Sequence, residues 1–342
     1  MPQFYRGVNL SGAEFGNSFL PGIYNTHFTY QSEATFRYFA ARDLNLIRFQ
    51  LQWERLQPAP SGPLAPDHLD LLKTAIGWAK TYGCLMVLEI HNFARFSFNE
   101  NGRLNTFVVD QPYNGAARVS RHDLADFWVR LSGEFANEPA VYAYDLMNEP
   151  HDLAGWKEIS QHVLSAIRAN GDNKLIMVPG DSWSSANRWP TVHGTTGWIT
   201  DPADNFLYEA HLYFDSDESG TYSRSYDDEL RANPGLPSVG VTRVRHFLDW
   251  CKANRARGFI GEYGVPDSDP RWWAVLDRLL KVLDDEEVSG TYWAAGEWWG
   301  NYPLSVQPAN SFLIDRPQMP TLLAHLAPGT LTSLPRRIQE GA

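Results

Sequence analysis

Glu149 and Glu262 are the residues of this chain best placed to carry a reaction. Each ends a run of apolar, β-prone residues, in Val141-Tyr-Ala-Tyr-Asp-Leu-Met-Asn-Glu149 and in Gly258-Phe-Ile-Gly-Glu262. A packed interior does not tolerate an unpaired charge, so a carboxylate closing an apolar strand marks a site. Two carboxylates facing each other across a glycosidic bond could cut it with retention. One would protonate the leaving oxygen and the other attack the anomeric carbon, from ~5–5.5 Å apart.

Other strand ends carry matching chemistry. Arg48 lies in Ile47-Arg48-Phe49, and further along come His91-Asn92, Asn148, His211-Leu212-Tyr213, Trp293 and Glu297-Trp298-Trp299. A lone histidine at a strand end is usually structural, but five strands converging on charged or imidazole groups are hard to read as packing. A metal hydrolase built on His91, His211 and a glutamate lacks HExxH or any comparable ligand spacing, so no metal is expected. The GxSxG elbow of a serine hydrolase is missing. So are the GxGxxG and GxxxxGK[ST] phosphate fingerprints, and no cofactor is expected.

The elements that must position these residues alternate strand and helix. Strands are expected at 5–10, 46–51, 85–91, 141–147, 174–179, 205–213, 258–262 and 288–295. Helical patterns fall at 31–43, 66–82, 120–136, 153–170, 238–256, 270–286 and 317–326. Eight strands with intervening helices predict one (β/α)₈ TIM barrel, an α/β fold, spanning 1–342 as a single domain. The stretch 181–200 reads as a loop with at most a short helix. Two long loops, from Asn92 to about Val119 and from about Asp215 to Pro237, leave the C-terminal ends of strands, where barrel enzymes build their sites.

Composition narrows the partners. A net charge of −11 argues against nucleic acid. No run approaches the ~20 apolar residues of a membrane span, so no membrane partner is expected. The 13 Trp, 15 Tyr and 18 Phe suit a site that stacks on the apolar faces of sugar rings, although a Trp-rich core would need them too. Cys84 and Cys251 make no disulfide framework and are expected as free thiols, because they fall on elements far apart around a barrel. Met1-Pro-Gln-Phe-Tyr runs almost directly into the first strand, and no signal peptide is legible.

The ordered set of motifs resembles glycoside hydrolase family 5, the large cellulase family. Ile47-Arg48-Phe49, His91-Asn92-Phe93-Ala94-Arg95, Met147-Asn148-Glu149-Pro150-His151-Asp152, His211-Leu212-Tyr213 and Gly261-Glu262-Tyr263 carry that likeness. Ser11-Gly-Ala-Glu-Phe-Gly16, Gly180-Asp-Ser-Trp183, Asp215-Ser-Asp-Glu-Ser-Gly-Thr221 and Trp293-Ala-Ala-Gly296 narrow it to the branch with fungal endo-β-1,4-glucanases.

The resemblance implies a retaining glycoside hydrolase that cuts a β-1,4-linked glucan internally, as polysaccharide or oligosaccharide, with Glu149 as acid/base and Glu262 as nucleophile. Asn148 would bind the sugar 2-hydroxyl. Arg48 would keep Glu262 ionised, and Tyr213 would orient it. His91, Asn92 and His211 would bond substrate or the catalytic carboxylates. Trp293 would floor the subsite on the non-reducing side, with Trp183 and Trp298 as flanking platforms. It also implies a monomer that is secreted or periplasmic. Two departures stand out: Glu297 where the branch usually has proline or another uncharged residue, and no cysteines in the 215–237 loop. Glu297 could select the sugar or pair with Arg95. The alternatives are another β-linked glycan (mixed-linkage glucan, xyloglucan, mannan or an exopolysaccharide) or a catalytically silent carbohydrate-binding barrel.

Overall fold

The computed structural model describes residues 4–327. Eight parallel strands close a barrel in the order β1-β8-β7-β6-β5-β4-β3-β2. They are β1 (Arg6–Leu10), β2 (Leu46–Leu51), β3 (Leu85–Ile90), β4 (Val141–Asp145), β5 (Leu175–Pro179), β6 (Phe206–His211), β7 (Gly258–Glu262) and β8 (Gly290–Ala295). The helices that follow them are α1 (Glu33–Ala40), α2 (Pro66–Tyr82), α3 (Arg121–Phe135), α4 (Trp156–Ala169), α5 (Trp189–His193), α6 (Val239–Ala253), α7 (Pro270–Asp285) and α8 (Met319–Leu323). Each expected strand is present. Three of them stop one or two residues earlier at the C-terminal end than the sequence suggested, which leaves Asn148 and Glu149 in the loop after β4 and Tyr213 beyond β6.

Local sequence explains the helices. α2 opens on Pro66, whose missing N–H costs nothing in a first turn, and closes at Gly83 with φ 70°. α3 starts with a capping box between Ser120 and Asp123. α4 buries Trp156, Ile159, Val163, Leu164 and Ile167, spaced to form one face. Each such side chain withdrawn from water contributes roughly 1.5–3 kcal/mol.

Strand periodicity divides the barrel interior into two kinds of layer, since residues two apart share a face. Leu46, Val87, Ala143, Leu175, Leu207 and Phe259 belong to one apolar cluster. Two residues further along four of these strands stand Arg48, Glu89, Asp145 and Glu209, all fully buried. The interior is therefore oily at the strand starts and ionic toward the C-terminal mouth. On β7 the equivalent position is Gly261, where a Cβ would fall 1.7 Å from Glu209 Oε1, so the carboxylate occupies the side chain's space.

The two long loops contain more structure than the sequence reading gave them. Within 92–119, Arg95–Glu100 pairs antiparallel with Arg103–Val108, and Pro112–Tyr113 pairs with Ala116–Ala117. Both hairpins turn on Asn-Gly: Asn101 and Gly102 have φ 55° and 79°, Asn114 and Gly115 have φ 52° and 95°. Two consecutive positive φ values are what the tightest hairpin turn needs, and Asn-Gly supplies them. Within 215–237 lie a helix at Tyr226–Ala232 and a 3₁₀ turn at Leu236–Ser238.

Cys84 and Cys251 are free and buried, and burial pushes both thiols up to about 12. Among the described residues no helix is long and apolar enough to cross a membrane.

Candidate active site

Glu262 closes β7 at the barrel mouth, 3% exposed. Arg48, rising from β2, donates from Nη1 to Glu262 Oε1 at 2.9 Å. The Tyr213 hydroxyl donates to Oε2 at 2.7 Å. Arg48 also donates to Asp145 Oδ2 at 2.8 Å, to Asn9 Oδ1 at 3.0 Å and to Asn148 Oδ1 at 3.1 Å, so one guanidinium ties four strands and the loop after β4 together. The sequence reading had Arg48 holding Glu262 ionised. The contact is there and Arg48 does lower the Glu262 pKa, but burial raises it and Glu149 adds to the rise, so the net direction is up despite His211 and Arg48. Burial also pushes the Tyr213 hydroxyl well above its ordinary value, with Glu262 adding to the effect, so Tyr213 remains a donor.

Glu149 sits just past β4 with φ 40°, a left-handed conformation that a non-glycine residue keeps only when its surroundings hold it. The imidazole of His211 holds its carboxylate. Its Nδ1 is 2.7 Å from Glu149 Oε1 and 3.5 Å from Glu262 Oε2, and its Nε2 is 2.6 Å from Glu209 Oε1. Burial opposes a charge on His211, yet Glu209, Glu262 and the bonds to Glu149 and Glu209 raise its pKa well above the ordinary value. His211 is thus an imidazolium between carboxylates.

One ligand atom each from Glu149, His211 and Glu262 lies within 4.8 Å of the others. A cation could span that distance, but both Glu262 oxygens already accept protein donors and His211 Nδ1 already holds Glu149. Each carboxylate is thus held by its own protein donors.

Asn148 is anchored by its backbone N–H to Ile90 O at 2.8 Å, and its Nδ2 lies 3.4 Å from His91 Nε2. His91 continues the inward face of β3, with Nδ1 3.3 Å from Glu89 Oε2. Its ring lies nearly parallel to Trp293, with centroids 5.5 Å apart at 14°. Burial lowers the His91 pKa, so this histidine is the neutral counterpart of His211. Trp293 donates from Nε1 to Tyr302 Oη at 3.2 Å. Asn92 departs from its expected role toward substrate. Its Oδ1 accepts from Trp53 N at 2.8 Å and its Nδ2 donates to Glu54 Oε2 at 2.7 Å, so both halves of the amide hold the loop after β2.

Two of the expected aromatic platforms are open. Trp183 and Trp298 are each 40% exposed. Trp183 stands in a run of three left-handed residues, Ser182, Trp183 and Ser184, and stacks on His151 with centroids 4.7 Å apart. It borders a cavity of about 630 Å³ that contains Glu149, His211 and Tyr213. Trp299 turns the other way, edge-on to Phe15 at 4.8 Å and stacked on Tyr302 at 4.4 Å.

Glu297 makes no ion pair with Arg95. Its Oε1 accepts from Ser32 N at 2.9 Å, from the Ser32 hydroxyl at 2.5 Å and from the Thr35 hydroxyl at 2.8 Å, capping the N-terminus of α1. A carboxylate there satisfies free N–H groups and complements the helix dipole. The bonds continue as a closed circuit around the end of β8. Glu297 N donates to Gln31 Oε1, Gln31 donates to Ser11 O, and Ser11 N donates to Ala295 O. Gly296 N donates to Gln307 Oε1, and Gln307 Nε2 donates to Thr35 Oγ1.

Several buried carboxylates escaped the sequence reading. Glu89, Asp145 and Glu209 form the ionic layer under Glu149 and Glu262, and burial pushes Glu89 up to about 8. Glu209 goes the other way: His211, Arg48 and Ser184 overcome its burial and lower its pKa. The signal was available, because Glu89 and His91, and likewise Glu209 and His211, are two apart and so share a face. Glu14 accepts from Gly12 N at 2.7 Å, and burial pushes it up to about 7.

A (β/α)₈ barrel with two glutamates at the mouth, on β7 and just past β4, and with exposed tryptophans beside them has the architecture of a glycoside hydrolase. The chain belongs to the cellulase family, glycosyl hydrolase family 5, whose sequence profile matches residues 6–298. It is 32% identical over 308 residues to a probable endo-β-1,4-glucanase B of Neosartorya fischeri, covering 88% of this chain and 85% of the relative. Among solved structures it resembles the Pseudomonas stutzeri endoglucanase Cel5A in complex with cellobiose, with TM-score 0.83, 39% identity and coverage of 94% and 92%. It also resembles an endo-β-1,4-glucanase of Xanthomonas axonopodis pv. citri, with TM-score 0.82, 33% identity and coverage of 94% and 98%.

Proposed function

We propose that this protein is a retaining endo-β-1,4-glucanase in which Glu149 is the acid/base and Glu262 the nucleophile. The observation that carries this reading is the closeness of the two carboxylates, with an oxygen of each within 4.8 Å of the other and of His211. An inverting enzyme needs its carboxyls ~6.5–9.5 Å apart to seat a water between them, whereas retention needs direct attack across ~5–5.5 Å.

The surroundings separate the roles. Glu262 is the more enclosed of the two, its oxygens fixed by Arg48 and Tyr213, which aims it as a nucleophile. Glu149 faces the cavity bordered by Trp183, where a leaving sugar would lie. In the first step Glu149 gives its proton to the departing oxygen as Glu262 bonds to the anomeric carbon. In the second, Glu149 takes a proton from water, which displaces Glu262 and restores the β configuration. The Asn148 amide, held by Arg48, would donate to the sugar 2-hydroxyl, and Trp293 would lie under the ring being cut.

The relatives named endo-β-1,4-glucanases, and the one solved with cellobiose, support a β-1,4-glucan as substrate. The expected location is outside the cytoplasm, where such a polymer is met. Viscometry with product chromatography on carboxymethyl cellulose and barley β-glucan tests the proposal. Viscosity should fall early, with mixed oligosaccharides as products. Release of glucose or cellobiose alone without that early fall would contradict internal cutting.

A further inference from the structure

Glu89 stands on β3 two residues before His91, is fully buried, and takes no part in the reaction described above. Its Oε2 lies 3.3 Å from His91 Nδ1 and 3.9 Å from Arg48 Nη1, and its Oε1 has no hydrogen-bond partner among the described residues. The His91 ring packs on Trp293, nearly parallel at 5.5 Å, and on Phe93, edge-on at 5.1 Å. Its Nε2 lies 3.4 Å from Asn148 Nδ2. The roles of donor and acceptor along this line follow from one end. A guanidinium can only donate, so Asn148 turns its Oδ1 to Arg48 and its NH2 toward His91. An NH2 needs a lone pair opposite, so Nε2 of the neutral ring is bare and its single proton is on Nδ1. That proton needs an acceptor, and Glu89 Oε2 is the one in reach. Burial, which lowers the His91 pKa, supports the neutral ring.

We propose that Glu89 is a positioning residue, which sets the tautomer of His91 and through it aims the Asn148 amide at the sugar 2-hydroxyl. The proposal rests on the glucanase reading above, in which Asn148 donates to that hydroxyl. Without an acceptor at residue 89, a proton on Nδ1 would be buried unpaired. The ring would carry it on Nε2 instead, where it meets the Asn148 NH2 donor against donor and turns the amide away. What the line requires of residue 89 is therefore an oxygen that accepts, and not a charge. On β6 the same spacing gives the ionic version, in which Glu209 and His211 hold Glu149. Successive residues of one loop, Asn148 and Glu149, are thus each held by a carboxylate–imidazole pair, one ring neutral and the other charged.

The test uses Glu89→Gln, which keeps an acceptor oxygen, and Glu89→Leu, which fills similar space and has none. Each is compared with wild type on dinitrophenyl β-cellobioside and on the analogue lacking the 2-hydroxyl of the sugar that bears the aryl group. The ratio of kcat/KM between the two substrates reports the 2-hydroxyl contact, which a merely structural role would not move. It should fall at least about tenfold in Glu89→Leu and stay within about threefold of wild type in Glu89→Gln. Equal losses on both substrates in Glu89→Leu, or the same fall of the ratio in both variants, overturn the proposal. A second measurement is made on the wild type itself. Nitrogen NMR of the histidine-labelled protein at neutral pH should show His91 protonated at Nδ1, its signal identified by its loss in His91→Gln. A proton on Nε2 overturns the proposal whatever the variants do. No turnover of the unmodified β-cellobioside by wild type would instead remove the glucanase reading.

Discussion

The Nδ1 of His211 lies 2.7 Å from Oε1 of Glu149, and the other nitrogen of the same ring faces Glu209. Glu149, the proposed acid/base, is therefore oriented by a cation that is itself anchored inside the barrel. His211→Ala should lower kcat/KM by on the order of a hundredfold and shift the pH profile. Steady-state kinetics across pH checks this. A fall in rate with an unchanged profile would reduce His211 to packing.

Removing each glutamate should fail in its own way. Glu262→Ala with azide should give the α-glycosyl azide from an activated β-glycoside, by a single inversion. Glu149→Ala should still form the covalent intermediate when the leaving group needs no proton, and azide should then give the β-glycosyl azide. NMR of the products decides, and exchanged products would mean exchanged roles.

As the proposed nucleophile Glu262 must be ionised, and burial together with Glu149 raises its pKa against the opposing pull of His211 and Arg48. Activity should therefore rise with pH through a midpoint above the 4.5 of an ordinary glutamate. Tyr213→Phe removes a donor that favours the carboxylate, and should move this acid limb to higher pH. A pH profile of kcat/KM with its acid limb at or below 4.5 contradicts the argument.

At the other end of the barrel, His325 bridges Asp284 at 2.5 Å and Asp277 at 3.0 Å, and Asp284 also pairs with Arg6 at 2.7 Å. The bond to Asp284 leads in raising the His325 pKa above 6.5, despite burial. A raised histidine pKa gives stability that is complete below the unfolded value and is lost as pH rises through the folded one. The Tm gap between wild type and His325→Ala should be widest below about pH 6 and shrink above it. A gap that is constant with pH would show that the ring only packs.

Much of this was legible beforehand, and the exceptions have physical causes. Strand and helix order followed from local periodicity, and the meeting of Glu149 and Glu262 at the barrel mouth from carboxylates ending apolar runs. The hairpins of the 92–119 loop were passed over although Asn101-Gly102 and Asn114-Gly115 signal them. Asn92 was aimed at substrate because an amide beside His91 can turn either way, and only the meeting of the β2 and β3 loops decides it. The partners of Glu297 were out of reach altogether: nothing local joins residue 297 to residues 32 and 35.

That junction yields a further prediction. Glu297→Gln keeps an acceptor oxygen for Ser32 and Thr35 while losing the charge, whereas Glu297→Ala removes the cap, at about 0.5–2 kcal/mol. Binding of cello-oligosaccharides should weaken for the alanine variant, with kcat little changed, and be largely kept by glutamine. Calorimetric titration into catalytically silent Glu149→Gln backgrounds measures it. Equal loss in both would assign the effect to charge at the cleft.

The circuit around Gly296 links residues 11–35 with 295–307, and β1 is zipped to β8 from Arg6↔Gly290 onward. The surface beside Trp293 and Trp298 is thus a joint product of the two ends of the chain. During synthesis Glu149 emerges early, but a nascent chain stopped before β8 has neither the tryptophan floor nor the partner that caps α1. The enzyme would switch on only with its last strand. Cut into two pieces within the Asp215–Pro237 loop, it should be silent as fragments and regain activity only as they reunite.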